Sequence, residues 1–133
     1  MIINYITLHC SDSDVKSHND ISVIRKWHVE ENSWSDVGYS YFIKTQGTLQ
    51  EGRSEGATLA HARGHNRGHI AICLHGKNEF TDAQEFMLMN LIQSIMDRHD
   101  IKRIYYHNEL NPGKTCPNVR YEFIDEINKG LKV

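Results

Sequence analysis

The chain is short of cysteine and proline, has no long apolar run, and carries no surplus of one charge. Each shortage argues against a class of protein. Three cysteines, Cys10, Cys73 and Cys116, cannot all pair within one chain, so a secreted disulfide framework is not indicated and a reducing compartment fits better. Two prolines and no low-complexity stretch leave no linker, and no domain boundary is visible. Fifteen Lys and Arg against seventeen Asp and Glu give a formal net charge of -2, which provides no general pull towards nucleic acid. The first residues, Met1 to Tyr5, run into a strand-like segment without a basic start or small-residue cleavage site. The expectation is therefore no signal peptide and synthesis in the cytoplasm. No apolar stretch is long enough to span a bilayer, so membrane insertion is not expected.

What is present suits one globular domain over residues 1–133. That length can bury a sizeable core without disulfides, and 39% hydrophobic with 24% charged residues is an ordinary balance. Nine histidines are more than a domain this small usually carries. His9 and the segment His107 to Pro117 together offer two imidazoles and the Cys116 sulfur from separated places. Three such ligands would leave the fourth zinc position open for water or substrate, where a structural zinc closes its tetrahedron with protein. Taken alone, His9 also reads as a locally hydrogen-bonded strand end, and Cys116 as an inert buried thiol.

Patterning predicts an α/β fold, with a central mixed sheet flanked by about three helices. Ile2 to His9 is a nearly continuous apolar run, suited to a central strand covered on both faces. His9 then stands at the strand's C-terminal end, where sites in α/β sheets gather. Ile21, Ile24, Trp27 and His28 follow helical spacing, placing a helix over about residues 20–31. Tyr39 to Lys44 and Thr48 to Arg53 flank Gln46-Gly47 as a hairpin. His69 to Leu74 reads as a buried strand. Thr81 with Gln84 matches a capping box opening a long helix to about Arg98. Arg103 to His107 reads as a short strand, Asn111-Pro112-Gly113 as a loop, and Arg120 to Lys129 as a last helix stopped by Gly130.

Six segments in order carry a family resemblance: Leu8-His9-Cys10-Ser11; Trp34-Ser35-Asp36-Val37-Gly38-Tyr39; Gly47-Thr48 followed by Glu51-Gly52-Arg53; His61-Ala62 with Gly64 and Asn66; Ile72-Cys73-Leu74; and His107 through Pro117. Over nearly its whole length the chain resembles the zinc-dependent N-acetylmuramoyl-L-alanine amidases, the group that includes phage lysozyme-amidases and peptidoglycan recognition proteins. The resemblance implies one zinc per chain, held by His9, His107 and Cys116. It implies Tyr39 and Lys114 as catalytic or oxyanion-stabilising partners, and substrate contacts in the loop holding His61 and Asn66. Arg63 and Arg67 are candidates for meeting a muropeptide carboxylate. Departures fall on the substrate side: Gly38-Tyr39-Ser40 stands where many relatives read Gly-Tyr-His, and Gly68-His69-Ile70-Ala71 where they read Asn-Ser-Ile-Gly.

The expected activity is hydrolysis of the amide between N-acetylmuramic acid and L-alanine, degrading the bacterial wall as a phage endolysin does. The expected partner is peptidoglycan or its muropeptides, met by a monomer after release from the host cytoplasm. Cys116 and Tyr39 disfavour a cytosolic muropeptide-recycling amidase, whose relatives usually carry aspartate and glutamate there. Cys116 also argues against a recognition module that binds without cutting. Cys10 and Cys73 are assigned to packing. His18, His28 and His99 read as exposed helix or loop residues, and His65 and His75 remain open.

Overall fold

The computed structural model describes residues 2–34 and 36–131. Ser35, part of the Trp34 to Tyr39 motif, lies outside the described residues. Five strands form one sheet: β1 (Tyr5–Cys10), β2 (Tyr41–Ile43), β3 (Leu49–Glu51), β4 (His69–Leu74) and β5 (Arg103–Tyr106). Their order across the sheet is β3-β2-β4-β1-β5. Every neighbouring pair is parallel except the β2/β3 hairpin. The expected mixed sheet is thus present, with β1 between β4 and β5. At the hairpin turn Gly47 takes φ +88°, the left-handed conformation that glycine adopts without a Cβ penalty.

Strand alternation sorts β1 and β4 into two unlike faces. Ile6, Leu8, Ile70, Ile72, Leu74, Ile104 and Tyr106 enter the larger core, with Leu88, Ile92 and Ile95 of α2 (Asp82–Arg98) and Ile124 of α4 (Glu122–Gly130). Cys73 and Phe42 enter a smaller cluster with Ile21 and Ile24 of α1 (Ile21–Lys26). The apolar run of β1 is covered on both sides, as its composition predicts. On the α1 side, however, Thr7 and His9 are themselves fully buried polar residues, joined by His61 and His69. A buried polar layer needs hydrogen-bond partners, and its pairing shapes the site.

Helix boundaries follow local chemistry. Asp20 caps α1 by accepting from the Ser22 N–H at 2.9 Å. The expected helix over 20–31 continues past Lys26 as a wider π-helical turn, Trp27–Glu31. Thr81 and Gln84 form the capping box of α2, and Gln84 Nε2 also donates to the His75 carbonyl at 2.8 Å, tying the helix to the end of β4. A one-turn helix, α3 (His107–Leu110), follows β5 directly, so His107, expected as the last strand residue, opens a helix instead. Helix α4 runs through Gly130 rather than stopping before it, and Leu131 takes the extended cap conformation. Asn128 of α4 accepts from the Ile104 N–H and donates to the Ile104 carbonyl, both at 2.9 Å. Its amide thus stands in for a neighbouring strand on the outer edge of β5. No helix among the described residues is long and apolar enough to cross a membrane.

Candidate metal centre and groove

Strand register assembles the site. Parallel pairing sets Leu8 beside Tyr106, so the next residues, His9 and His107, stand side by side at the C-terminal ends of their strands. Their ring centroids are 4.3 Å apart. The chain after α3 folds back, and the Cys116 sulfur accepts from the Cys10 backbone N–H at 2.9 Å. One ligand atom from each of His9, His107 and Cys116 then lies within 4.8 Å of the others. A zinc ion binds imidazole nitrogen at about 2.0 Å and thiolate sulfur at about 2.3 Å, so small side-chain movements would bring all three onto one ion.

The donor atoms fit a metal. The Nδ1 atoms of His9 and His107 are buried and lack any hydrogen-bond partner, a costly arrangement unless something else occupies their lone pairs. Burial, followed by the neighbouring imidazoles, lowers His9 well below its ordinary pKa. Burial also lowers His107, and the nearby Lys114 ammonium acts in the same direction. Both rings are therefore neutral near pH 7, the form that ligates metal. The hydrogen bond shared with the Cys10 thiol, then burial, pushes the Cys116 thiol up. A bound cation would supply the charge that holds Cys116 as thiolate. Cys10 points away from His9, as alternation requires, but it is more than packing because its thiol and backbone meet Cys116.

The opposite nitrogens of the two imidazoles are held by protein. His107 Nε2 meets Asn111 Oδ1 at 3.0 Å, and His9 Nε2 meets His61 Nδ1 at 2.8 Å. His61 Nε2 in turn meets the His65 carbonyl. Burial lowers the His61 pKa to about 3, so this ring is neutral too. Tyr39 packs against His9 with ring centroids 4.9 Å apart, and burial raises its phenol well above the ordinary value. It is therefore a neutral O–H group, able to donate a hydrogen bond.

A groove of about 580 Å³ runs beside these ligands, lined by Trp34, Ala60, His61, Ala62, Arg63, Asn66, His107, Asn111 and Lys114. It brings together Lys114, Arg63, His61 and Asn66 of the anticipated residues with the ligand His107. Arg67 is exposed and does not line it. Asn66 shapes the loop: its Oδ1 accepts from the backbone N–H groups of His61 and Ala62 at 2.9 and 3.1 Å. Arg53 ties the segments on either side of Gly38 and Ala60 together, donating to the Val37 and Thr58 carbonyls at 2.7 and 2.8 Å.

Two residues near the site escape sequence reasoning. Asn111 stands one helical turn from His107, an i,i+4 relation that is readable only once a helix is expected there. His28 is half-buried rather than exposed. Its Nδ1 accepts from the Gly38 N–H at 2.8 Å and its ring lies 5.5 Å from Tyr39, so it helps place the Tyr39 loop. Of the other histidines, His18 meets Ser13 and Trp27, and His99 pairs with Glu55 at 2.7 Å. His75 is buried beside Phe42.

The chain is similar to known proteins over most of its length. The endolysin of Escherichia phage T7 is 35% identical over 121 residues, covering 85% of this chain and 79% of that protein. Peptidoglycan-recognition protein SC2 of Drosophila melanogaster is 29% identical over 100 residues, covering 71% of this chain and 54% of that protein. Among solved structures, the N-acetylmuramoyl-L-alanine amidase LysC from Clostridium intestinale superposes with a TM-score of 0.83 at 27% identity, covering 98% of this chain and 86% of that one. The family model described as N-acetylmuramoyl-L-alanine amidase matches residues 1–119, a span that holds His9, Tyr39, His107, Lys114 and Cys116. The chain belongs to the N-acetylmuramoyl-L-alanine amidase family.

Proposed function

We propose that this chain, as a single catalytic domain, hydrolyses the amide joining the lactyl group of N-acetylmuramic acid to L-alanine in peptidoglycan, using one zinc ion held by His9, His107 and Cys116. The observation that carries this reading is the convergence of those three donors, one of which, His107, lines a groove together with Lys114 and Arg63. When bound, zinc would supply Lewis-acid activation of the amide carbonyl and of the attacking water. In the reaction, water oxygen adds to the carbonyl carbon, the C–N bond breaks, the lactyl group leaves as carboxylate, and the stem peptide takes a proton and leaves as amine.

The remaining steps belong to the chain's own side chains. Lys114, exposed at the groove edge, brings an ammonium towards negative charge developing on the carbonyl oxygen. Tyr39, a neutral phenol against His9, donates a hydrogen bond to that oxygen or hands a proton towards the departing amine. Arg63 on the groove wall is placed to meet a stem-peptide carboxylate, and Trp34 offers an apolar surface for the sugar or lactyl group. Biologically the chain acts as an endolysin, a monomer that reaches the wall after release from the cytoplasm of an infected bacterium.

The test is release of free stem peptide from purified sacculi and from soluble muropeptides, with metal-replete, chelated and zinc-restored protein in parallel. Release from intact sacculi that stops with chelator and returns with zinc supports the proposal. Cleavage of soluble fragments alone would reassign the chain to recycling, and binding without product would make it a recognition module.

A further inference from the structure

Neither imidazole of the candidate metal centre is free to choose its tautomer. The His65 carbonyl can only accept, so its contact with His61 Nε2 requires the proton on that nitrogen. A neutral His61 then has a bare Nδ1, which can only accept. Its 2.8 Å contact with His9 Nε2 therefore requires the His9 proton on Nε2 and leaves the lone pair on Nδ1, the atom that is buried without a partner. The same logic holds on the other ligand. Asn111 Nδ2 donates to the Arg63 carbonyl at 3.4 Å, which turns Oδ1 towards His107. That oxygen accepts from His107 Nε2 at 3.0 Å and leaves the orphaned His107 Nδ1 bare.

We infer that His61 and Asn111 are positioning residues of the metal centre: a relay from the His65 carbonyl through His61, and an amide anchored on the Arg63 carbonyl, fix both ligand imidazoles in the Nδ1-ligating tautomer before metal arrives. The inference rests on His9 and His107 as metal ligands, which is the reading proposed above. Both anchors lie in the 60–68 loop, so one segment holds the two ligands from outside the metal. His61 is only 7% exposed and both its ring nitrogens are engaged within the protein. It acts through His9 rather than as a hydrogen-bonding group for substrate. Partners that orient a metal-bound histidine typically contribute 10- to 100-fold in metal affinity.

The experiment uses two readouts that do not depend on turnover: the ring-nitrogen NMR signals of His9 and His107 in metal-free protein, and zinc affinity by chelator competition. Metal-free wild type is expected to show both rings protonated on Nε2. His61→Phe keeps the ring's bulk without an acceptor. It is expected to mix the His9 tautomers and weaken zinc about 10- to 100-fold, while His107 stays as in wild type. His61→Asn restores an acceptor near the Nδ1 position and is expected to recover most of that loss, a rescue that a space-filling role would not give. Asn111→Ala should produce the matching change at His107 alone, and Asn111→Asp should reverse it. Should His61→Phe fail to fold, the wild-type tautomers and the Asn111 pair still decide. Nδ1–H on either ring in metal-free wild type, or wild-type zinc affinity in folded His61→Phe and Asn111→Ala, overturns the inference. A wild-type protein that binds no zinc would instead overturn the ligand set beneath it.

Discussion

The backbone N–H of Cys10 and the sulfur of Cys116, 106 positions apart in sequence, meet at 2.9 Å. This contact pins the returning loop to the end of β1 and sets the third donor beside the two imidazoles. It also supplies an N–H donor to the sulfur, the kind of outer contact that tunes a metal-bound thiolate. Cys116→Ala removes both the ligand and the anchor. It is expected to lose zinc and amidase activity together, with metal content per chain measured after dialysis. Full zinc occupancy in the folded variant would show that the ligand set is different.

Tyr39 and Lys114 are assigned to chemistry rather than to metal retention. Tyr39→Phe keeps the ring packed on His9, and Lys114→Ala changes an exposed side chain. Each is expected to keep wild-type zinc content and to lose on the order of a hundred-fold or more in kcat, the usual effect of removing one oxyanion donor. Stem-peptide release at saturating substrate measures this, and an unchanged rate removes that residue from the mechanism.

The Tyr39 loop is packed too tightly to accept even one methyl group at Gly38. A Cβ there would lie 2.0 Å from the Ala60 carbonyl oxygen and 3.1 Å from the Trp34 ring. Gly38→Ala must therefore displace the Ala60 backbone and the Trp34 ring, both of which line the groove, at a cost of about 1–3 kcal/mol, read as a Tm lowered by several degrees. Gly130→Ala, in the last turn of α4 with nothing near its Cβ, is expected to hold or raise Tm because alanine favours helix. Equal effects of the two changes would contradict the packing argument.

The buried histidines make metal-free protein sensitive to acid. His69 is buried, with Nδ1 2.8 Å from the Thr7 hydroxyl, and burial followed by the His65 charge lowers its pKa from 6.5 to about 4. Between those values the unfolded chain binds a proton that the folded one does not. Stability from this group is complete above pH 6.5 and is lost as pH falls towards 4. In His69→Asn, the slope of unfolding free energy against pH in this window should fall by up to one proton, about 1.4 kcal/mol per pH unit. Urea unfolding of both proteins across the window checks it, and identical slopes would show that His69 titrates normally in the fold.

Local pattern carried much of the fold. Thr81 with Gln84 marks the start of α2, two short runs around Gln46-Gly47 mark the β2/β3 hairpin, and the apolar run His69 to Leu74 marks β4 at its observed boundaries, because caps, turns and apolar runs are decided by neighbours in sequence. The α3 turn is not legible in the sequence because only four residues form it and no apolar stripe marks it. His28 read as a surface helix residue because its partner, Gly38, comes from a separate loop.

The sequence by itself determined which groups were available: two imidazoles, one thiol, a phenol and an ammonium, in an order shared with the amidase family. Tertiary structure decided how they are used. Pairing Leu8 with Tyr106 is a long-range register choice, and it alone sets His9 beside His107. Which ring nitrogen of each is left bare depends on His61, Asn111 and two backbone carbonyls contributed by the 60–68 loop. A tautomer is fixed by the hydrogen bond on the far side of the ring, and that partner is reached only through the fold.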